Sequence, residues 1–437
     1  MTPTQVQLKN SATELLQAEL PKERVLQIDD SPTGFDADLW RKMVDLGWSG
    51  MTVPEAYGGA GLSNTDFGVV AEVLGSYASS SPLLDSAVLS ANAILEAGSE
   101  EQKKEFLTAI ANGQQIFTTA LTEPEYGWGP SYIKMGATRR GRNYVLNGSK
   151  LFIPWAHVAD QIIVAARTSE GATPEDGISL LVVDKNARGV STWLMQGFIG
   201  DKVCEVNFNN VEVPASHVLG PAGQAWPALE RAMGKATAIL STYMAGGDWK
   251  AYEMCRDYSQ VRIAFGMPIG TFQYVQGHVI IALTESDACK WTAYEALWML
   301  DSDRKEAQIG VSTAKAVASD SFWKACDASH DIHGGIGIDI TYGLTHYTKR
   351  ARTFQHYLGD ARVSQGQDGP AHGAVEGHGA SQSEGPQIRP LTLYGSDVIL
   401  RACEGIVIAR ASPPVAIWGG VPSYAESVIS SQALSPP

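Results

Sequence analysis

Two histidines near residue 330 are spaced as metal ligands can be. His330 and His333 lie three residues apart in a stretch of helical periodicity, so both side chains fall on one helix face. A zinc site needs further protein ligands, and the sequence around this pair offers no third one. The five cysteines are widely spaced and form no CxxC pair, which favours free thiols over zinc ligands or disulfides. We therefore expect no metal.

Two glycine-rich segments have the composition of phosphate-binding loops. They are GGAGLS at 58–63 and GGIGIDITYG at 334–343. Neither follows a predicted strand or opens a βαβ unit, as a dinucleotide fingerprint requires. The chain also contains no GxSxG elbow and no P-loop. The sequence therefore lacks the common local motifs for hydrolysis and for nucleotide binding by a single βαβ unit.

The composition argues against two classes of partner. The 437 residues include 47 acidic and 33 basic side chains, for a net charge of −14. A field of this sign repels nucleic-acid phosphates and anionic lipids, so we expect no nucleic acid and no membrane partner. The sequence has no run of about 18 apolar residues. Its first residues show neither a signal core nor arginine-rich transit character. We expect a cytoplasmic protein.

Hydrophobic periodicity divides the chain into four stretches. Residues 1–115 and 221–361 show helical spacing, whereas residues 116–220 form short runs of period two, rich in β-branched and aromatic side chains. Within them, Asn147–Gly148 predicts a turn between two strands, and Gly246–Gly247 a weak point in a long helix. The order predicts an α+β protein with an N-terminal helical domain, a middle antiparallel β-domain and a C-terminal four-helix bundle.

The fourth stretch, residues 362–437, differs sharply in composition. It is rich in glycine, proline and serine and contains no lysine. Such a composition predicts a disordered tail. A shifted reading frame near residue 362 would also explain the missing lysines, so a native tail and a frame-shifted tail both stay open.

Five motifs in order resemble the acyl-CoA dehydrogenase family over residues 10–361. They are VPEAYGGAGLS at 53–63, ALTEP at 120–124, NFNNVEVPASHVLG at 207–220, RIAFGMPIGTFQ at 262–273 and HGGIGI at 333–338. The resemblance implies FAD-dependent α,β-dehydrogenation of an acyl-CoA thioester, in the breakdown of fatty acyl chains or rings. This chemistry needs a carboxylate base for the α-proton, hydrogen bonds to the thioester oxygen and hydride transfer to flavin N5.

The resemblance also assigns residues to the cofactor. Thr122, Ile153 and Pro154 fall where the family contacts the flavin ring. The residues that resemble those holding the ADP half of FAD in a neighbouring subunit are Arg262, Phe265, Gln273, Gly334, Gly335 and Gly337. An arginine makes paired hydrogen bonds to a diphosphate, and glycines permit close backbone approach. The expected partners are an acyl-CoA substrate, an electron-transfer flavoprotein and further subunits.

Several positions depart from the family pattern. The two usual positions of the base hold Gly359 and Ala236, and Asp360 would replace them only after a shift of one residue. Three positions expected near the flavin hold Trp128, Pro154 and Asp331. Proline has no hydroxyl to offer the flavin ring, and a carboxylate near a diphosphate is repelled unless it is paired or protonated.

These departures leave three functions open. The first is an active homo-oligomer with a displaced base, which family frequency favours. The second is a non-catalytic chain that lends its ADP-side surface to a catalytic homologue in a heteromer. The distribution of the departures favours this second function, because several residues expected on the flavin-ring side are replaced, whereas most of those expected on the ADP side are present. The third is a flavin oxidase or monooxygenase on the same fold, since a fold does not fix a function.

Overall fold

The protein is described by a computed structural model that covers residues 1–195, 202–359 and 361–364. The order of elements in these ranges is helical, β and helical, as the periodicity predicts. The expected disorder of the tail beyond residue 364 lies outside the described residues.

The N-terminal part is built from short helices. They are α1 (Pro3–Glu19), α2 (Lys22–Asp30), α3 (Ala37–Asp45), α4 (Asn64–Ser76), α5 (Ala91–Ala97), α6 (Glu100–Gln102) and α7 (Thr108–Ala111), with π-helical turns at Leu84–Ser90 and Lys103–Leu107. Helix α4 begins with a capping box in which Ser63 and Asp66 satisfy each other's backbone N–H groups. Its buried face includes Phe67 and Val70, which join the largest apolar core.

The middle part contains two sheets. Their strands are β1 (Phe117–Ala120), β2 (Ala137–Arg140), β3 (Asn143–Pro154), β4 (Gln161–Arg167), β5 (Ile178–Asp184), β6 (Val190–Leu194) and β7 (Val203–Pro214). One sheet has the order β1-β4-β5 and the other β2-β3-β7-β6. The pairs are antiparallel except β1 with β4, which is parallel because the β2–β3 hairpin intervenes between them in the chain.

The predicted turn at Asn147–Gly148 is wrong. Strand β3 runs through both residues, and its register against β7 shifts between Leu146 and Gly148. Gly148 has a φ of 141°, so the glycine serves a bulge rather than a hairpin. A sequence pattern cannot separate these two uses, because both need a residue free of Cβ strain.

The C-terminal part consists of four main helices. They are α8 (Trp226–Val261), α9 (Gln273–Asp301), α10 (Ala307–His333) and α11 (Leu344–His356), with the short α12 (Ala361–Ser364) and the small hairpin β8 (Ile263–Ala264) and β9 (Met267–Pro268). The helices pack on one another through small buried residues such as Ala282, Ala293 and Ala318. Within the described ranges, no helix has the length and apolar character to cross a bilayer.

The predicted long helix is confirmed, and α8 is continuous through Gly246–Gly247, the expected weak point. A Cβ on Gly246 would lie 1.8 Å from the Glu72 carbonyl oxygen of α4, and one on Gly247 would lie 2.4 Å from the Phe322 ring of α10. These glycines therefore allow α8 to approach two neighbouring helices closely, and tertiary contact outweighs their low helix propensity.

Candidate active site

The end of strand β3 is distorted where the resemblance places the flavin ring. Its register against β7 shifts between Lys150 and Ile153, and the φ angles of Phe152 and Trp155 are 56° and 60°. The Thr118 hydroxyl donates a 2.7 Å hydrogen bond to the Pro154 carbonyl, which fixes the bend. Positive φ in bulky residues is uncommon and concentrates at functional sites.

A buried ion pair anchors the neighbouring loop. Glu123 and Lys150 are 5% and 0% exposed, and the Lys150 ammonium lies 2.8 Å from the carboxylate. The same carboxylate accepts the N–H groups of Lys134 and Met135 at 3.0–3.1 Å. This contact holds both ends of the loop that carries Trp128. The glutamate of the ALTEP motif therefore shapes the site without facing a ligand.

These elements enclose a cavity of about 430 Å³ between the β-domain and the end of α11. Its wall includes all three residues predicted for the flavin ring, namely Thr122, Ile153 and Pro154. Trp128 and Trp155 add aromatic surface to the same wall. The volume and the largely apolar, aromatic lining suit a flat ring system together with part of a substrate.

The expected base positions place no carboxylate in this wall. Gly359 is buried and is absent from the wall, whereas its neighbour Leu358, with a φ of 58°, is part of it. Ala236 is fully buried in α8 and also lies away from the cavity surface. Asp360 lies outside the described residues.

Two acidic residues that sequence reasoning missed do line the cavity. Asp29 accepts a 2.5 Å hydrogen bond from the Arg350 guanidinium, so its charge is paired. Asp85 is 3% exposed and accepts a hydrogen bond from the Tyr357 hydroxyl. Burial raises the pKa of Asp85 to about 7, against the lowering effect of the tyrosine. The signal for Asp85 was a single charge inside the apolar run SPLLDSAVLS.

The segments expected to hold a nucleotide meet at the far end of the helical bundle. Arg262 follows the last turn of α8, and the 3-10 turn at Gly334–Ile338 follows α10. The rings of Tyr258 and His333 stack at 4.3 Å and join the two helix ends. The Arg262 guanidinium has no hydrogen bond or ion pair within the described part of the chain, so it is available to a ligand.

Phe265 projects from this end of the bundle. It forms the tip of the β8–β9 hairpin with Gly266, and their φ angles of 52° and 82° fit a type I′ turn. Phe265 is 93% exposed, and its ring lies edge-on to that of Phe272 with the ring centroids 6.1 Å apart. Gln273 begins α9 immediately after that phenylalanine and is also exposed.

Gly334, Gly335 and Gly337 of the 3-10 turn after α10 differ in whether their surroundings require glycine. Gly334 has a φ of 57°, so the backbone itself favours glycine. A Cβ on Gly337 would lie 3.0 Å from both His330 and His333, so packing restricts that position. A Cβ on Gly335 would meet nothing within 4 Å, and its φ is ordinary. The packing and backbone of the described chain therefore do not require glycine at 335.

The polar residues around this turn are mostly engaged. His330 Nε2 lies 2.7 Å from the Thr348 hydroxyl, and His333 Nε2 lies 2.9 Å from the Tyr342 hydroxyl. Asp331 departs from the family pattern and is expected to repel a diphosphate. Its Oδ2 lies 3.5 Å from Nδ1 of His278. No cluster of three potential metal ligands occurs in the described ranges.

The two halves of the site are far apart in one chain. Tyr243 of α8 contacts Phe354 in the cavity wall at a ring distance of 4.9 Å. Arg262 lies nineteen residues further along the same continuous helix, which corresponds to about 28 Å at 1.5 Å per residue. Arg262 therefore lies about five helical turns beyond the part of α8 that packs beside the cavity wall.

Sequence profiles of the three acyl-CoA dehydrogenase domains match almost the whole described chain. The N-terminal domain matches residues 2–114, the middle domain residues 118–211 and the C-terminal domain residues 226–367. The chain belongs to the acyl-CoA dehydrogenase family. The order of its domains and the helical, β, helical fold agree with this membership.

Individual acyl-CoA dehydrogenases share the full architecture. Isobutyryl-CoA dehydrogenase of Dictyostelium discoideum is 29% identical over 338 residues, which cover 76% of this chain and 81% of that protein. The structure of butyryl-CoA dehydrogenase from Megasphaera elsdenii superposes with a TM-score of 0.77 at 25% identity, covering 84% of this chain and 98% of the other. A variant of the Tcur3481-Tcur3483 steroid ACAD gives 0.74 at 26%, covering 84% and 96%.

We predict that Phe265→Asn stabilises this acyl-CoA dehydrogenase homologue against urea by about 1 kcal/mol, because asparagine tolerates the left-handed backbone better than phenylalanine. Equilibrium unfolding measures the change. The control Tyr274→Asn replaces another exposed aromatic residue in an ordinary helix and should give no gain. A Phe265→Asn chain less stable than the parent would show that the ring contributes to the fold.

Proposed function

We propose that this chain is a subunit of an FAD-dependent acyl-CoA dehydrogenase in which two chains together enclose each flavin. The separation of about 28 Å along α8 between Arg262 and Tyr243, which packs on Phe354 of the cavity wall, carries the proposal. One chain then supplies the cavity for the ring, and its neighbour supplies the arginine, the exposed phenylalanine and the glycine turn. The names of the relatives, among them butyryl-CoA and isobutyryl-CoA dehydrogenases, support the reaction class.

The residues of the cavity have distinct tasks in this proposal. Bound FAD supplies the hydride acceptor. Trp128, Trp155 and the bent end of β3 pack against the ring and exclude water, which strengthens electrostatic interactions in the site. Thr122 offers a backbone and hydroxyl contact at the ring edge. Pro154 offers no N–H and no hydroxyl, so the ring has one hydrogen-bond partner fewer on that side.

The subunit interface also has a physical basis in the exposed apolar residues of the helical bundle. The helix α9 exposes Tyr274, Trp291 and Trp298, which are 80%, 66% and 49% accessible in the single chain. Ile336 and Ile338 of the glycine turn are exposed as well. Large apolar surface of this kind marks contact with another protein. Tyr274, Ile336 and Ile338 belong to the segments of the proposed nucleotide side, whereas Trp291 and Trp298 lie further along α9.

A second candidate function follows from the base positions. Gly359 and Ala236 carry no proton acceptor, so the chain fits the role of a flavin-lending subunit whose catalytic homologue holds the base. The kinship with the Tcur3481-Tcur3483 steroid ACAD is compatible with a complex of two different chains. In this arrangement the nucleotide side of our chain serves the partner's flavin.

One purification separates the candidates. The chain alone is tested for bound FAD per chain and for bleaching of the flavin by acyl-CoA without oxygen. Full FAD with turnover supports the homo-oligomer. Turnover that appears only with a co-purified homologue supports the heteromer.

Reduced flavin that persists until an electron-transfer flavoprotein is added indicates a dehydrogenase, whereas rapid reoxidation by oxygen indicates an oxidase or monooxygenase. A chain that binds no FAD in either setting would overturn the proposal.

Gly335→Ala is expected to weaken FAD binding by roughly tenfold without lowering stability, because the added methyl group meets ligand but no protein atom. Flavin released on dilution measures the affinity, and urea unfolding measures the stability. Gly136→Ala is the matched control, since its Cβ also meets nothing within 4 Å but lies in the β-domain. Equal FAD affinity in both variants would place the nucleotide elsewhere.

A further inference from the structure

A small inner chamber adjoins the main cavity. Its volume is about 60 Å³, and it shares Ser80, Asp85, Trp155 and Phe354 with the larger space. Its other walls are formed by buried side chains such as Ile239 of α8. A water molecule occupies about 30 Å³ in the liquid, so the chamber holds a group of about two non-hydrogen atoms.

The inner chamber contains an unpartnered hydroxyl. Ser79 is 4% exposed, and its Oγ is one of the few buried polar side-chain atoms among the described residues that have no hydrogen-bond partner. Its backbone is fully engaged. The N–H donates to the Leu74 carbonyl at 3.0 Å, and the C=O accepts from the Tyr243 hydroxyl at 2.8 Å. Ala78, with a φ of 49°, completes the left-handed turn that ends α4.

Asp85 gives the same chamber a second hydrogen-bonding group. Its carboxyl accepts a hydrogen bond from the Tyr357 hydroxyl and pairs with no cation among the described residues, unlike Asp29, which pairs with Arg350. With a pKa of about 7, this carboxyl is present in both forms near neutrality. The neutral form donates a hydrogen bond and the ionised form accepts one.

We infer that the inner chamber binds an uncharged hydrogen-bonding substituent, a hydroxyl or a carbonyl oxygen, carried by the acyl group of the CoA thioester. This inference rests on the proposed function and specifies its substrate. A plain hydrocarbon chain that filled the chamber would exclude water from the Ser79 hydroxyl and leave it without a hydrogen-bond partner, which is unfavourable for a buried polar group. A terminal carboxylate is disfavoured, because the ionised form of Asp85 repels it.

Binding of three matched esters tests the inference. The full chain, with any subunit that co-purifies, is titrated calorimetrically with unsubstituted, ω-hydroxy and ω-carboxy acyl-CoA at several chain lengths. At the length that reaches the chamber, the hydroxy ester should bind roughly tenfold more tightly than the unsubstituted ester, as expected for one or two buried hydrogen bonds. The carboxy ester should bind most weakly.

Variants assign the preference to the chamber. Ser79→Ala should remove most of the tenfold preference, whereas Ser76→Ala, whose hydroxyl bonds the Val73 carbonyl outside the chamber, should leave it intact. Asp85→Asn should relieve the discrimination against the carboxy ester. Equal binding of hydroxy and unsubstituted esters at every length, or an unchanged preference in Ser79→Ala, would overturn the inference alone. Failure of all esters to bind would overturn the proposed function together with it.

Discussion

Arg262→Ala is expected to reduce FAD affinity about a hundredfold while the chain keeps its stability and oligomeric state. Two charge-assisted hydrogen bonds from a guanidinium to a diphosphate account for a loss of this size, about 3 kcal/mol. The fold should be unaffected, because the guanidinium makes no hydrogen bond or ion pair within the described residues and only the backbone of Arg262 is engaged.

The controls for Arg262 separate geometry from charge. Arg262→Lys keeps the charge but loses the planar fork, so its FAD affinity should fall between the parent and the alanine variant. Arg41→Ala removes an exposed arginine that pairs with Asp38 on α3, away from the proposed interface, and should leave FAD bound. Flavin retained after gel filtration gives the comparison. Retention of FAD by Arg262→Ala would contradict the assignment of this surface to the nucleotide.

Glu123→Gln is expected to cost about 3 kcal/mol of the free energy of unfolding at neutral pH. The substitution leaves the Lys150 ammonium buried without its counter-charge, and such a loss is among the largest that single substitutions produce. Urea unfolding measures it. The double variant Glu123→Gln/Lys150→Met should recover much of the loss, because the amide still accepts the N–H groups of the loop and no buried charge remains.

The loss of unfolding free energy caused by Glu123→Gln should decrease as the pH rises. Burial lowers the pKa of Lys150, and the Glu123 carboxylate opposes that effect. Without the carboxylate, the folded chain binds fewer protons than the unfolded chain between the lowered pKa and the usual pKa of lysine. The stability of Glu123→Gln therefore rises with pH across that window and approaches the parent. A loss below about 1 kcal/mol at neutral pH, or one that is independent of pH, would contradict a buried charge pair.

Local periodicity was sufficient to predict the fold, and tertiary contact explains where it failed. Helical and strand runs follow from the spacing of apolar residues, and α8, α9, α10 and α11 all lie within residues 221–361, where the spacing predicts helices. Gly148 and Gly246 show why a glycine is hard to interpret from sequence. Each glycine looks like a break in the sequence but serves a bulge or a close helix crossing in the structure.

The candidate site was predictable only where motifs carry it. Thr122, Ile153 and Pro154 lie in one cavity wall, as their family resemblance suggests. Ser79 and Asp85 belong to no motif, and they meet only because the end of α4 and the π-helical turn after it pack beside Tyr357. The three glycines of the 334–337 turn also look alike in the sequence, because each lacks a Cβ. Only the structure shows that backbone conformation favours glycine at one position and packing at another.

Sedimentation velocity of the full chain, recorded at the flavin absorbance and at the protein absorbance, tests the shared flavin most directly. We expect FAD to sediment only with the oligomer and to be released as dilution produces single chains, because the Arg262 surface and the cavity of one chain lie too far apart to hold one cofactor. A single chain that sediments with a full complement of FAD would contradict this account.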